Sequence, residues 1–276
     1  MLQIVTPPIK LGGSGRGISY YSTAARCPRR AKLDGQNKGS SSGYDAKVGT
    51  IDHGILELFY DGKLDPAILR DPNLFLQVPE DFVDAKDEAL RLAQAYFRKY
   101  PELDFWGTPI GVEIQLPTEG MKQAVNEFFL VDLTARLDLA TRVNEAQLER
   151  IAERTGLRLP GPGVYIVDHK FRTRRDSYIG ETYLLSAAFT AYPAMWNLHY
   201  PDDQCVGMIA NVTVANKEVV FQQALVSPPD ENALRGLQNW LIGANELAGT
   251  DFPNWTSCRD FNRTCGHFTS GACSRY

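Results

Sequence analysis

The sequence predicts an α/β chain, with a central mixed β-sheet flanked by helices, a helical insertion and a Cys-rich C-terminal tail. Three observations predict it. Segments of helical period open the chain, the period turns strand-like near residue 111, and a compact apolar strand at 163–167 is followed by a long apolar helix and a strand pair. The 276 residues are 43 % apolar and 22 % charged, near globular averages, and are enough to bury a substantial core. No linker separates two domains, so residues 1–276 read as one.

Residues 1–17 are irregular and end in Gly12-Gly13-Ser14-Gly15. Residues 18–34 favour a helix, with Ser19 or Ser22 able to cap it and with Ala24, Ala25, Ala31 and Leu33 as helix formers. Pro28 must start a new turn or kink that helix. Residues 35–43 are a Gly- and Ser-rich loop. A second helix fits Val48–Tyr60, with Ile51, Ile55, Leu58 and Phe59 on one face. A third fits Glu80–Tyr100, closed by Pro101, and lies within a helical elaboration spanning about 61–109.

Gly111–Leu116 alternates as a strand, and Glu127–Val143 reads as one or two strands, Phe128–Val131 and then Leu137 and Leu139. A short polar helix, Asn144–Thr155, ends at Gly156. The strand Gly163–Val167 runs into Asp168. Residues 180–199 read as one buried helix. Cys205–Val214 and Glu218–Val226 pair through a turn at 215–217, and Pro228–Leu247 is an amphipathic helix. There is no internal repeat.

Lys and Arg number 29 against 33 Asp and Glu, a net charge of −4. No global basic surface is expected, although a local basic groove can sit beside an acidic metal site. No apolar run approaches the ~18–20 residues of a membrane helix. Met1–Lys10 lacks a charged leader followed by an apolar stretch, so no secretory signal is expected. A reducing compartment follows, the cytoplasm of a bacterial, archaeal or phage-infected cell. There, a cysteine cluster reads as metal-binding before it reads as disulfides.

Asp168-His169-Lys170 is the most informative segment. Side chains two apart on a strand share a face, so Asp168 and Lys170 project together and His169 points away. A carboxylate and an ammonium in one site suit phosphodiester hydrolysis, although Asp-x-Lys is also a common surface ion pair. Asp138, flanked by Leu137 and Leu139, needs a partner or a metal if buried, or it pairs with Arg136 on its own face. Glu113 and Asp132 are rival acids in strand-like segments. His53 and Glu57 are four apart on one helical face. A histidine ligand tilts a site toward Mn²⁺, and carboxylates suit Mg²⁺. A lone helical histidine is also a common structural residue.

The order Gly49-Thr50-x-x-His53, apolar-flanked Asp138, then Asp168-x-Lys170 resembles the PD-(D/E)XK nuclease superfamily, and within it the RecB-like branch. The resemblance implies a restriction-endonuclease-like core. It makes His53, Asp138 and Asp168 metal ligands, places the His169 carbonyl at the metal and makes Lys170 the catalytic lysine. Glu57 and Glu113 are possible additional ligands. Where the family carries Gln-x-x-x-Tyr after the lysine, Tyr183–Tyr192 has no glutamine.

Of five cysteines, Cys27 lies in Ala25-Arg26-Cys27-Pro28-Arg29-Arg30, and Cys258, Cys265 and Cys273 close the chain. This layout is similar to the iron–sulfur nucleases of the same superfamily, those of CRISPR adaptation and the helicase–nuclease subunits of bacterial recombination. It implies a structural 4Fe–4S cluster on the four thiolates. On residues alone, zinc and free thiols stay open, and Cys265-Gly266-His267 offers zinc a further ligand. Cys205, within a strand, reads as a buried structural thiol.

Arg172, Arg174 and Arg175 follow the lysine and could contact phosphates, or form a solvated basic loop. Tyr20, Tyr21, Trp106 and Trp255 are candidates for base stacking or for the core. Together with the resemblance, these features imply a nuclease dependent on Mg²⁺ or Mn²⁺, with exonuclease action on single-stranded DNA ends preferred over duplex ends. A recombination or helicase partner would fit that role. A non-catalytic DNA-binding subunit and a zinc-stabilised binding module are the alternatives.

Overall fold

The computed structural model describes residues 4–6, 16–35, 44–70, 74–173 and 175–250. It divides into two compact units, one of residues 1–12, 43–115 and 136–229, the other of residues 13–42, 116–135 and 230–276.

In the first unit, β1 (Ile4–Val5) and β2 (Leu74–Phe75) form a short parallel ladder. The main sheet has the order β3-β4-β5-β6-β7: β3 (Thr108–Leu116), β4 (Ala135–Val143), β5 (Gly163–Arg172), β6 (Cys205–Val214) and β7 (Val220–Val226). It is mixed, with β5 antiparallel to β4 and parallel to β6, and β6 antiparallel to β7. β5 is central. Val164–Val167 are fully buried, which explains why the segment reads as an unbroken apolar run.

The helices α3 (Tyr44–Tyr60) and α4 (Lys86–Lys99) pack their apolar stripes together. Val48, Ile51, Ile55, Phe59, Leu92 and Tyr96 join Leu139, Tyr165 and Val167 of the sheet in one core. A 3₁₀ segment, Glu80–Ala85, precedes α4 where one continuous helix is expected. A short helix, α6 (Glu145–Thr155), connects β4 to β5. The apolar segment 180–199 is two helices, α7 (Ile179–Leu184) and α8 (Ala187–His199). They part at Leu185 and Ser186, and Leu184 and Leu185 are exposed, so continuous burial of that stretch does not hold.

The second unit gathers α1 (Ile18–Arg26), α2 (Pro28–Gly35), α5 (Lys122–Phe129) and α9 (Glu231–Ala248). Cys27 sits in extended backbone between α1 and α2, and Pro28 opens α2, where its missing N–H costs nothing. α9 packs on α1 and α2 and is capped by Asp230, whose side chain accepts from the Ala233 N–H at 2.8 Å. Phe128–Val131, expected as a strand, does not form one: Phe128 and Phe129 end α5, and Leu130 and Val131 follow it. Val125 and Phe129, one turn apart, are buried, and Leu130 ends the helix in the left-handed region at φ 61°. Four consecutive apolar residues are too few to tell the two periods apart.

No helix among the described residues is long and apolar enough to cross a membrane.

Candidate metal centre

β5 continues through Asp168 to Arg172, so Asp168-His169-Lys170 lies inside a strand and not at its end. Alternation sorts the side chains. Tyr165 and Val167 join the core under α3 and α4, and the His169 ring goes with them, stacked on Tyr60 at 5.9 Å and edge-on to Tyr96 at 5.6 Å. Asp168 and Lys170 leave from the other face. Lys170 Nζ lies 2.7 Å from Asp168 Oδ2, with Asp168 buried and the lysine side chain 41 % exposed. The contact is a close ion pair, off the direction of a well-formed hydrogen bond.

Asp138 lies on the neighbouring strand. The His169 backbone N–H donates to Asp138 Oδ2 at 2.8 Å, and His53 Nδ1 of α3 lies 3.5 Å from the same oxygen. Arg136 does not pair with Asp138; its Nε lies 2.5 Å from Glu113 Oε2 on β3. Glu113 has φ 50°, rare for a residue other than glycine and unexpected inside a strand. His53, Glu113 and Asp138 each offer a ligand atom, all within 4.8 Å of one another.

The electrostatics follow from the crowding. Burial, then the Asp138 charge, raises Glu113 to about 8 despite Arg136. Burial also works to raise Asp138, but His53, Lys170 and the His169 N–H together pull it below the ordinary carboxylate range. Asp168 is raised, first by burial and then by Asp138, with Lys170 opposing. Burial would lower Lys170, yet the two aspartates hold it raised and cationic. Burial takes His169 down to about 3, so its ring is neutral. One residue before His53, Asp52 is buried with Oδ1 unpartnered, and burial raises it to about 7.

The structure therefore gathers His53, Glu113 and Asp138, with the Asp168–Lys170 pair coupled to Asp138 through charge. The His169 side chain faces away, leaving its backbone on the cluster. Glu57 raises Glu113 from a turn beyond His53 but falls outside the group of three. Tyr192 of α8 is a residue that sequence reasoning missed. Burial first and the Asp168 charge next raise its phenol to about 12, and it acts in turn on Lys170. Its signal was a tyrosine in the helix after the lysine, set aside for want of a glutamine.

Beside His53 opens a groove of ≈ 770 Å³, lined by Asp45, Gly49, Phe171, Arg172, Arg175, Tyr178 and neighbouring small residues. Arg172 is held by Asp176 at 3.3 Å and lies over the Tyr183 ring. Arg175 is exposed, and Tyr178 is 71 % exposed. Asp176 also pins the loop, accepting from Thr182 Oγ1 at 2.6 Å and from the Tyr178 N–H at 2.8 Å. Of the stacking candidates, Tyr21 and Trp106 are core residues with no exposed surface, and Tyr20 is half-buried. Arg174, Trp255, Cys258, Cys265 and Cys273 lie outside the described residues. Cys27 and Cys205 are buried free thiols.

No protein-family model matches the chain, and no curated protein does. Solved structures do match. One is a crystal structure from Eubacterium rectale described as a "Putative exonuclease", 14 % identical, covering 86 % of this chain and 82 % of that one, with a TM-score of 0.45.

Proposed function

We propose that the chain is a metal-dependent nuclease that hydrolyses DNA phosphodiester bonds at the His53–Glu113–Asp138 cluster. One observation carries the reading: an imidazole and two carboxylates converge within 4.8 Å of one another, on a site that also holds the Asp168–Lys170 pair. The donor set fits a divalent cation, because carboxylate oxygens suit Mg²⁺ and an added imidazole suits Mn²⁺. The raised Glu113 supports the fit: without a cation the crowded acids keep a proton that a cation would replace. His53, Glu113 and Asp138 would hold the ion, with Asp168 able to join them. A cation bound there supplies Lewis acidity and lowers the pKa of water.

The chain's own groups do the rest. The His169 N–H fixes Asp138. Lys170, kept cationic by Asp168 and Asp138, faces the charge that develops on the phosphoryl oxygens. The neighbouring groove offers Arg175 for a phosphate and the exposed Tyr178 for an unpaired base. That pairing favours single-stranded ends and exonuclease action. We assign to Cys27, Cys258, Cys265 and Cys273 a structural 4Fe–4S cluster. In support, Cys27 is buried between two helices that pack on α9, from which the chain enters the cysteine-bearing tail.

The test is degradation of end-labelled single- and double-stranded DNA with Mn²⁺ or Mg²⁺, with Lys170→Ala run beside the parent protein. Metal-dependent cutting that the variant loses supports the reading. Binding without cutting by iron-replete protein would make the chain a DNA-binding subunit.

A further inference from the structure

A second groove, of ≈ 710 Å³, lies along α4 and shares no residue with the His53–Lys170 cluster or the groove beside it. Arg91, Ala95, Arg98 and Lys99 form one wall, and residues 217–221, from the β6–β7 turn into the start of β7, form the other. The α4 positions fall at i, i+4, i+7 and i+8, one stripe of the helix. Four cations and a single carboxylate, Glu218, line the space.

Of the four cations, Arg91 alone forms an ion pair among the described residues. Arg91 is held by Glu88 at 2.7 Å and donates to the Asn216 carbonyl at 3.2 Å, which fixes its guanidinium on the groove wall. Lys99 Nζ lies 5.3 Å from the Phe221 ring centroid and 5.4 Å from that of Tyr100. Both contacts are aromatic, and burial lowers its pKa. Arg98 and Lys217 are exposed, and no ion pair is formed by Arg98, Lys99 or Lys217 among the described residues. Desolvating an ammonium costs free energy, and that cost falls on a groove of a chain whose net charge is −4. The remaining lining is apolar: Ala95, Val219, Val220 and Phe221.

We propose that this groove is a second docking surface for the substrate strand, taking nucleic-acid phosphates at a distance from the cut. It rests on the nuclease reading above. Arg98, Lys99 and Lys217 neutralise phosphates, Arg91 orients the wall, and the apolar floor accommodates sugars and base faces. The consequence is a dependence on substrate length: a strand long enough to reach both grooves binds tighter than one that fills the first.

The test compares single strands of about 6 and about 30 nucleotides, chosen to bracket much of the ~4–16-nucleotide range of single-strand sites. Binding is read by fluorescence anisotropy in EDTA at several salt concentrations. The full-length chain is compared with Arg98→Glu/Lys217→Glu and with the milder Arg98→Gln/Lys217→Gln. The charge-reversed pair is expected to bind the long strand roughly 10-fold more weakly, in line with the salt sensitivity of phosphate contacts, and the short strand as before. The neutral pair should lose less affinity, and its salt slope should fall by about 1.4, two contacts at ~0.7 each for single strands. If both variants match the parent on the long strand while the parent still cuts, the docking surface is wrong and the nuclease stands. Equal losses on both lengths would also overturn it. A parent that neither binds nor cuts DNA would overturn the nuclease reading and the docking surface with it.

Discussion

Removing the Lys170 ammonium takes away the counter-charge that sits 2.7 Å from the buried Asp168. Lys170→Ala should lower cutting by roughly 10²–10³-fold, the usual loss when one preorganised charge is removed from a transition state. DNA affinity should hold, because Arg175 and Tyr178 remain on the groove. A variant that cuts at the parent rate would remove Lys170 from the chemistry. A second expectation concerns pH. Glu113 is raised to about 8 and Asp52 to about 7, both by burial first, so the cation-free folded chain holds protons that the unfolded chain releases near about pH 4. Their contribution to stability is complete below that value and is lost as pH rises through 7 to 8. In EDTA the melting temperature should therefore fall between about pH 5.5 and about pH 8.5, and Mn²⁺ should raise it more at the higher pH, where it has no proton to displace. Glu113→Gln should flatten the pH slope and shrink the Mn²⁺ shift; an unchanged slope and shift would show that Glu113 is neither protonated nor a ligand. Part of this site was legible in the sequence. Asp168 and Lys170 share a face because a strand's period is fixed, and Asp138 stood out between two leucines. Glu113 was legible as a rival acid and possible further ligand, but its positive φ is something no periodicity records. The place of Tyr192 was not legible, since it depends on how α8 packs against the sheet.

Elements were readable where a local signal marks their ends. α6 spans Glu145–Thr155, and its start is a reciprocal cap: Asn144 Oδ1 accepts from the Gln147 N–H at 3.0 Å, and Gln147 Oε1 accepts from the Asn144 N–H at 2.9 Å. Pro28 likewise divides α1 from α2. The strand expected over 128–131 failed for the opposite reason, because its aromatic run carried β-propensity while Val125 and Phe129 set a helical stripe. The break between α7 and α8 has no proline or glycine at Leu185 or Ser186 to announce it. The reciprocal cap gives an element-scale prediction. Asn144→Ala should cost about 1 kcal/mol and lower the melting temperature by about 2–4 °C. Cutting should be unchanged, because no residue of α6 belongs to the cluster. Equal loss of stability and activity would mean that α6 positions the site through β4 or β5, the strands it connects.

Across the whole chain the net charge of −4 hid a local basic groove along α4, because a sum over residues carries no positions. The cysteines pose the converse problem: their order along the chain was plain, and whether they meet is a matter of tertiary structure. α9 packs against α1 and α2 on either side of Cys27, and Cys258 follows ten residues after Ala248. Ten residues can span up to ~35 Å. If the four thiolates hold an iron–sulfur cluster, Cys27→Ser keeps the size of a buried side chain and removes one ligand. The anaerobically purified parent should then be brown and iron-replete, while the variant should retain only a small fraction of the iron and melt at a lower temperature. Zinc in the parent in place of iron, lost in the same variant, would turn the cluster into a tetrahedral structural site with the same architectural role. A parent free of both metals, melting like Cys27→Ser, would make Cys27 a packing residue and overturn the cluster.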